Sequence, residues 1–156
     1  MRRSNWYALD NSAKLMPSMT NNLNTNVFRL TCTLKESIDE LVLQESLDIA
    51  LDEFPLFLYT MKDGIFWHYL EKSDIKPKVE LLKTNPCARI DNGLLFRLSY
   101  YKCRINLEVY HVLSDGNGAM EFLKYIVCTY LSKKYGIISV TAQNNANKII
   151  HVRKKA

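Results

Sequence analysis

The sequence predicts an α+β domain in which helices pack on a mixed, mainly antiparallel sheet. Three observations predict it. Val27–Leu34 and Leu94–His111 alternate apolar and polar residues, as half-buried strands do. Lys62-Asp63-Gly64 separates two short apolar runs, and Asp-Gly is a strong hairpin signal. Two further stretches repeat apolar residues at the spacing of an amphipathic helix.

In order along the chain, residues 1–26 mix aromatics with polar residues and end in an Asn-rich run from Asn21 to Asn26, which reads as an irregular lead-in. In Val27–Leu34, Phe28, Leu30, Cys32 and Leu34 share one face. Ser37 lies three residues before Glu40, the arrangement of a capping box, so a helix is expected to start there. Leu43, Leu47, Ala50, Leu51 and Phe54 continue it at helical spacing until Pro55, which cannot extend the hydrogen-bond ladder. The runs Leu56–Met61 and Ile65–Leu70 form the expected hairpin. Glu71–Asn92 contains Pro77 and Pro86 and reads as a connection with at most one short edge strand near Val79–Leu82.

Leu94–His111 reads as two strands joined near Lys102-Cys103-Arg104. In the second, Ile105, Leu107, Val109 and His111 share a face, and Asn106, Glu108 and Tyr110 occupy the other. After Ser114-Asp115-Gly116-Asn117-Gly118, apolar residues from Ala119 to Leu131 recur at helical spacing, with Lys133 and Lys134 at the carboxyl end where the helix dipole favours cations. The chain thus divides into a lead-in (1–26), a folded subdomain (27–138) and a polar, basic tail (139–156).

Composition narrows the function classes. With 156 residues, 47% of them apolar, the chain is long enough for a core that removes roughly 70% of the unfolded surface from water. The net charge of +5 comes from 21 Lys and Arg scattered along the chain, without the interleaved aromatics of an RNA-binding module, so no nucleic-acid partner is expected. Cys32, Cys87, Cys103 and Cys128 are too widely spaced for a zinc or thioredoxin-like motif. No apolar window reaches the ~20 residues of a membrane span and no apolar stretch follows Arg2-Arg3, which makes the cytoplasm the expected compartment.

The one dense constellation is Tyr110-His111-Val112-Leu113-Ser114-Asp115-Gly116-Asn117-Gly118, at a strand-to-helix junction. Such junctions hold side chains on rigid elements while leaving them accessible. From pattern alone, two readings of His111 stand: a hydrogen-bonded core histidine ending an apolar strand face, or a base at an accessible strand end. Asp115 is equally a helix cap or a motif residue. Gly118 is either required by the helix start or leaves room for substrate. Ser114 has no base at useful spacing and is not expected to be a nucleophile. His68 and His151 have no neighbours spaced as metal ligands.

His111-x-x-x-Asp115-Gly116 resembles the signature of the chloramphenicol acetyltransferase and condensation-domain superfamily, with Tyr110 where many members carry a first His. Trp6 with Leu9-Asp10-Asn11, the segment SLDIALDEFP, the run from Phe66 to Glu71, and LLFRLSYYKCRINLEVYHVLSDGNGAMEFLK together resemble bacterial alcohol acetyltransferase-type proteins over roughly residues 5 to 135. The resemblance implies the N-terminal half of a two-subdomain acyltransferase. In it His111 is the general base, Asp115 orients the loop and pairs with an Arg, Gly116 allows close backbone approach, and Ser114 and Gly118 are candidate tunnel residues.

The implied reaction moves an acyl group from acyl-CoA or an acyl-carrier thioester, as co-substrate and without a covalently bound cofactor, to a hydroxyl or amine. Members of the superfamily are more than twice as long, and their second half carries an Asp-Phe-Gly-type motif that this sequence lacks. The expected partner is therefore a missing C-terminal half or a second copy, and the isolated chain is expected to turn over poorly if at all. The alternative is a non-catalytic remnant or a ligand- or protein-binding module needing a partner to complete its site.

Overall fold

The computed structural model describes residues 6–9, 17–21, 24–65 and 68–136. They form two sheets and two principal helices. A three-stranded antiparallel sheet has the order β1-β4-β3, from Trp6–Ala8 (β1), Tyr59–Asp63 (β3) and His68–Lys72 (β4). A four-stranded sheet has the order β2-β7-β6-β5, from Val27–Thr33 (β2), Glu80–Leu81 (β5), Phe96–Tyr101 (β6) and Arg104–Tyr110 (β7). Its pairs are antiparallel except β5 with β6, which makes the sheet mixed. The helices are α1 (Glu40–Glu53) and α2 (Gly116–Tyr135).

The alternation of β7 builds the core. Ile105, Leu107 and Val109 are fully buried, and in register beside them lie Cys32, Leu30 and Phe28 of β2 and Tyr100, Leu98 and Phe96 of β6. Helix α1 buries Leu43, Leu47, Ala50 and Leu51, and α2 buries Ala119, Phe122, Leu123, Ile126 and Tyr130. Both stripes follow from helical spacing, because burying apolar area is the main favourable term in folding. Phe122 stacks on Phe57 with centroids 3.8 Å apart and meets Phe96 edge-on, which joins α2, the turn after α1 and the sheet in one aromatic cluster.

Four local expectations are corrected. Helix α1 is capped by Asp39, not by a Ser37–Glu40 box: Asp39 Oδ1 accepts from the amides of Leu41 and Val42, at 3.1 and 3.3 Å. Tertiary contacts select this cap, since the Asp39 amide donates to the Tyr130 hydroxyl and Lys134 Nζ donates to Asp39 Oδ2, both at 2.9 Å. The first hairpin run does not begin as a strand. Pro55 opens a 3-10 turn over Pro55–Leu58, consistent with proline's fixed φ, and β3 starts only at Tyr59.

The second run likewise starts as β4 at His68, while Ile65 is 91% exposed in the connection. Finally, Trp6–Ala8 is strand β1, paired with Tyr69–Glu71 of β4, where the sequence predicts an irregular lead-in. Three residues are too few to show a period; the free edge of β4 makes this strand. The tail from 137 onward, with His151, lies outside the described residues, as does Arg2-Arg3.

Candidate active site

Strand β7 ends at Tyr110, residues 111–113 turn, and Asp115 caps α2. The His111 amide donates to the Asn26 carbonyl at 2.9 Å, which extends the β2–β7 pairing by one step. Its ring lies on Phe28, with centroids 4.4 Å apart and planes at 39°. The side chain is exposed, and no described residue hydrogen-bonds either ring nitrogen. This rules out the core-histidine reading: a buried imidazole would need partners for its polar atoms. His111 instead lines a cleft of about 820 Å³ whose other walls are residues 24–27 and 85–89, including Asn26, Asn85, Cys87 and Arg89.

The rest of the motif separates from the histidine. Asp115 Oδ1 accepts from the Gly118 amide at 2.8 Å, so the carboxylate closes the first turn of α2. No Arg pairs with it among the described residues, so the arginine partnership implied by the resemblance is absent there. Gly116 faces open space among the described residues: a Cβ added to it would meet none of their atoms within 4 Å. A Cβ on Gly118 would come within 2.4 Å of Ser114 Oγ and 3.3 Å of Asp115 Oδ1, so any side chain there requires Ser114 to turn away. Ser114 Oγ donates to the Asp115 carbonyl at 3.2 Å and meets no base among the described residues.

Ser114 and Gly118 line a second cleft, of about 660 Å³, walled by Leu9, Phe54, Tyr59 and Leu70. The loop 111–118 thus has a polar cleft carrying His111 on one flank and a largely apolar cleft on the other.

Sequence reading did not find the polar cluster beneath the His111 cleft. Glu108, fully buried on β7, lies in register between Arg29 of β2 and Arg97 of β6. Its Oε1 accepts from Arg29 Nε at 3.0 Å and from the Cys87 amide at 2.7 Å; its Oε2 accepts from Arg97 Nε at 2.8 Å and from Arg97 Nη2. Alternation did put Glu108 on the face opposite the core, and charged residues on that face of a strand usually meet water. The 85–89 segment covers it instead. The available signal was an Arg on each flanking strand, which becomes visible only with the register.

His68 Nδ1 meets Asp63 Oδ1 at 2.7 Å across the β3–β4 hairpin. Among the described residues no group of three His, Cys, Asp or Glu side chains could hold a metal, and no described helix is long and apolar enough to cross a membrane. The four cysteines are unpaired, and burial pushes the Cys32 and Cys128 thiols above the ordinary value.

No protein-family model and no curated protein matches the sequence. Solved structures do match. The starter condensation domain of rhizomide synthetase RzmA superposes with a TM-score of 0.69 at 13% identity, over 85% of this chain and 39% of that one. The chain has a condensation-domain fold. Other structural neighbours are the SgcC5 protein from Streptomyces globisporus, at TM-score 0.64 and 12% identity over 90% of this chain and 39% of that one, and polyketide synthase associated protein 5 from Mycobacterium tuberculosis, at 0.63 and 15% over 84% and 34%. The present chain therefore spans about two fifths or less of the length of these proteins.

Proposed function

We propose that residues 27–138, together with β1, form the His111-bearing half of an acyltransferase site, with His111 as general base. The observation that carries this reading is the state of His111: backbone-anchored at a strand end, seated on Phe28, and presenting to an open polar cleft an imidazole that no described residue hydrogen-bonds. An imidazole whose unperturbed pKa is about 6.5 accepts a proton at neutral pH. Here it takes that proton from a hydroxyl or amine as the heteroatom attacks the thioester carbonyl. The tetrahedral intermediate then collapses, the C–S bond breaks, and the imidazolium returns the proton to the thiolate. A positioned base of this kind contributes about 10²- to 10⁴-fold.

The donor in this reading is an acyl-CoA or acyl-carrier thioester. One of the RzmA condensation-domain structures is a complex with C8-CoA, which supports an acyl-CoA as the first donor to try. The apolar cleft beyond Ser114 and Gly118 suits an alkyl chain, since apolar walls release water from it. The partner is a second half, either another polypeptide or a second copy, that covers the exposed histidine and excludes water from the reacting carbonyl.

The test is release of free CoA from C8-CoA in the presence of an alcohol or an amine, with the chain alone and with the polypeptide encoded downstream. Transfer that His111→Ala reduces at least a hundredfold, with the circular dichroism spectrum unchanged, is the expected result. Transfer that survives His111→Ala removes His111 as base. No transfer under either condition, combined with measurable C8-CoA binding by calorimetry, favours the ligand-binding module over the enzyme.

A further inference from the structure

Among the described residues, three that are not glycine have positive φ: Asn26 at 51°, Cys87 at 57° and Lys102 at 52°. Lys102 is in the tight β6–β7 turn, where such a conformation is ordinary. The other two form opposite walls of the His111 cleft. Left-handed backbone at a residue with a Cβ is costly, and it persists only where surrounding contacts hold it.

Those contacts form one connected path. The Cys87 amide donates to Glu108 Oε1 at 2.7 Å, and the Cys87 carbonyl accepts from Thr25 Oγ1 at 2.7 Å. Thr25 precedes Asn26, whose carbonyl accepts the His111 amide. Both polar groups of the Cys87 backbone are therefore tied, one to the sheet and one to the facing wall. A buried Arg–Glu–Arg cluster is a poor source of stability in itself, because an apolar trio of similar volume often does as well. What an apolar trio could not do is accept the Cys87 amide.

We propose that Glu108 is a positioning residue for His111: through Cys87 and Thr25 it holds the two strained walls of the cleft, and with them the seat of the imidazole on Phe28. This deepens the acyltransferase reading and rests on it only for the consequence in turnover.

The test reads the imidazole directly. The chain has three histidines, so the His111 ring proton resonances are assigned by their loss in His111→Ala. Their shifts report the Phe28 ring current. In Thr25→Val and in Glu108→Gln, the His111 signals are expected to move toward free-imidazole positions while those of His68 stay in place; Thr25→Ser, which keeps the hydroxyl, restores them. If both Thr25→Val and Glu108→Gln retain a folded spectrum and leave the His111 signals where they were, the proposal is overturned. If Glu108→Gln does not fold, the Thr25 pair decides, because that hydroxyl lies at the cleft wall and outside the buried charges.

Where the wild type transfers the acyl group, Thr25→Val is expected to lower kcat about ten- to a hundredfold at unchanged KM. An unchanged kcat despite displaced His111 signals overturns the link to the reaction. A wild type without transfer, both alone and with the second half, sinks the acyltransferase reading only, and the resonance shifts still judge the positioning.

Discussion

Replacing Glu108 with alanine removes the carboxylate that bridges two nearly enclosed guanidinium groups and leaves Arg97 a longer contact, 3.9 Å, to the half-exposed Glu80. The side chains of Arg29 and Arg97 are 14% and 7% exposed, and that of Glu108 is fully buried, so water cannot take over the role of the carboxylate. Breaking a buried charged cluster by deleting one partner costs about 3–5 kcal/mol. The stranded Cys87 amide belongs to the same network, so its cost of about 1–3 kcal/mol overlaps with the first figure rather than adding fully to it. We expect about 4 kcal/mol, a large share of the ~5–15 kcal/mol that holds a domain together. For a chain of this length that corresponds to a Tm lowered by roughly 8–16 °C.

Urea and thermal unfolding followed by far-ultraviolet circular dichroism measure both quantities. A companion variant, Arg29→Met/Arg97→Met/Glu108→Leu, is expected to recover most of the loss, because it removes all three charges together and leaves only the Cys87 amide unpaired. A loss below about 1 kcal/mol in Glu108→Ala would refute the reasoning, since it would mean the guanidinium groups had found other partners or water.

Two other perturbations isolate single contacts. Gly118→Ala meets Ser114 Oγ at 2.4 Å, a contact that a serine rotation relieves; in a Ser114→Ala background helix propensity is opposed only by the 3.3 Å approach to Asp115 Oδ1, and there the substitution is expected to stabilise by up to about 1 kcal/mol, measured by urea unfolding. The same gain in the wild-type background would show that Ser114 imposes no constraint. The hydrogen bond from Lys134 holds the Asp39 carboxyl below its ordinary range, with the Val42 amide a further cause. The folded chain therefore binds fewer protons there than the unfolded one. This contribution is present in full above the unfolded carboxylate pKa of about 3.9 and fades as pH falls through the lower folded value. Asp39→Asn is expected to flatten the acid limb of stability against pH; an acid limb identical to wild type would show that the cap carries no linkage.

Much of the architecture is legible in the sequence because period and punctuation report it. The strict alternation of Ile105, Leu107 and Val109, the helical stripes of Leu43–Leu51 and Ala119–Tyr130, and the stop at Pro55 each follow from one segment's own residues. His111 is legible in the same way, as the position one step beyond an apolar strand face and before a capped helix. The roles of its neighbours divide between two sides of the loop. Asp115 and Gly118 prove to serve the start of α2, and Ser114 and Gly118 face the apolar cleft, on the other flank from the histidine. Sequence spacing brings residues near one another along the chain, but a strand-to-helix turn sends successive side chains to different sides.

What the sequence by itself determined is the main strands and helices, the core stripes and the position of a histidine at the end of β7; its exposure came from the structure. Tertiary structure alone decided the rest. It made Asp39 the helix cap through Tyr130 and Lys134, it drew Trp6–Ala8 onto the edge of β4, and it placed Arg29 and Arg97 around a buried Glu108 that moors Cys87. Each of these depends on partners from distant parts of the chain, set by strand register and helix docking. Local periodicity reports which face of an element is apolar, and carries no record of which remote polar group will meet the other face.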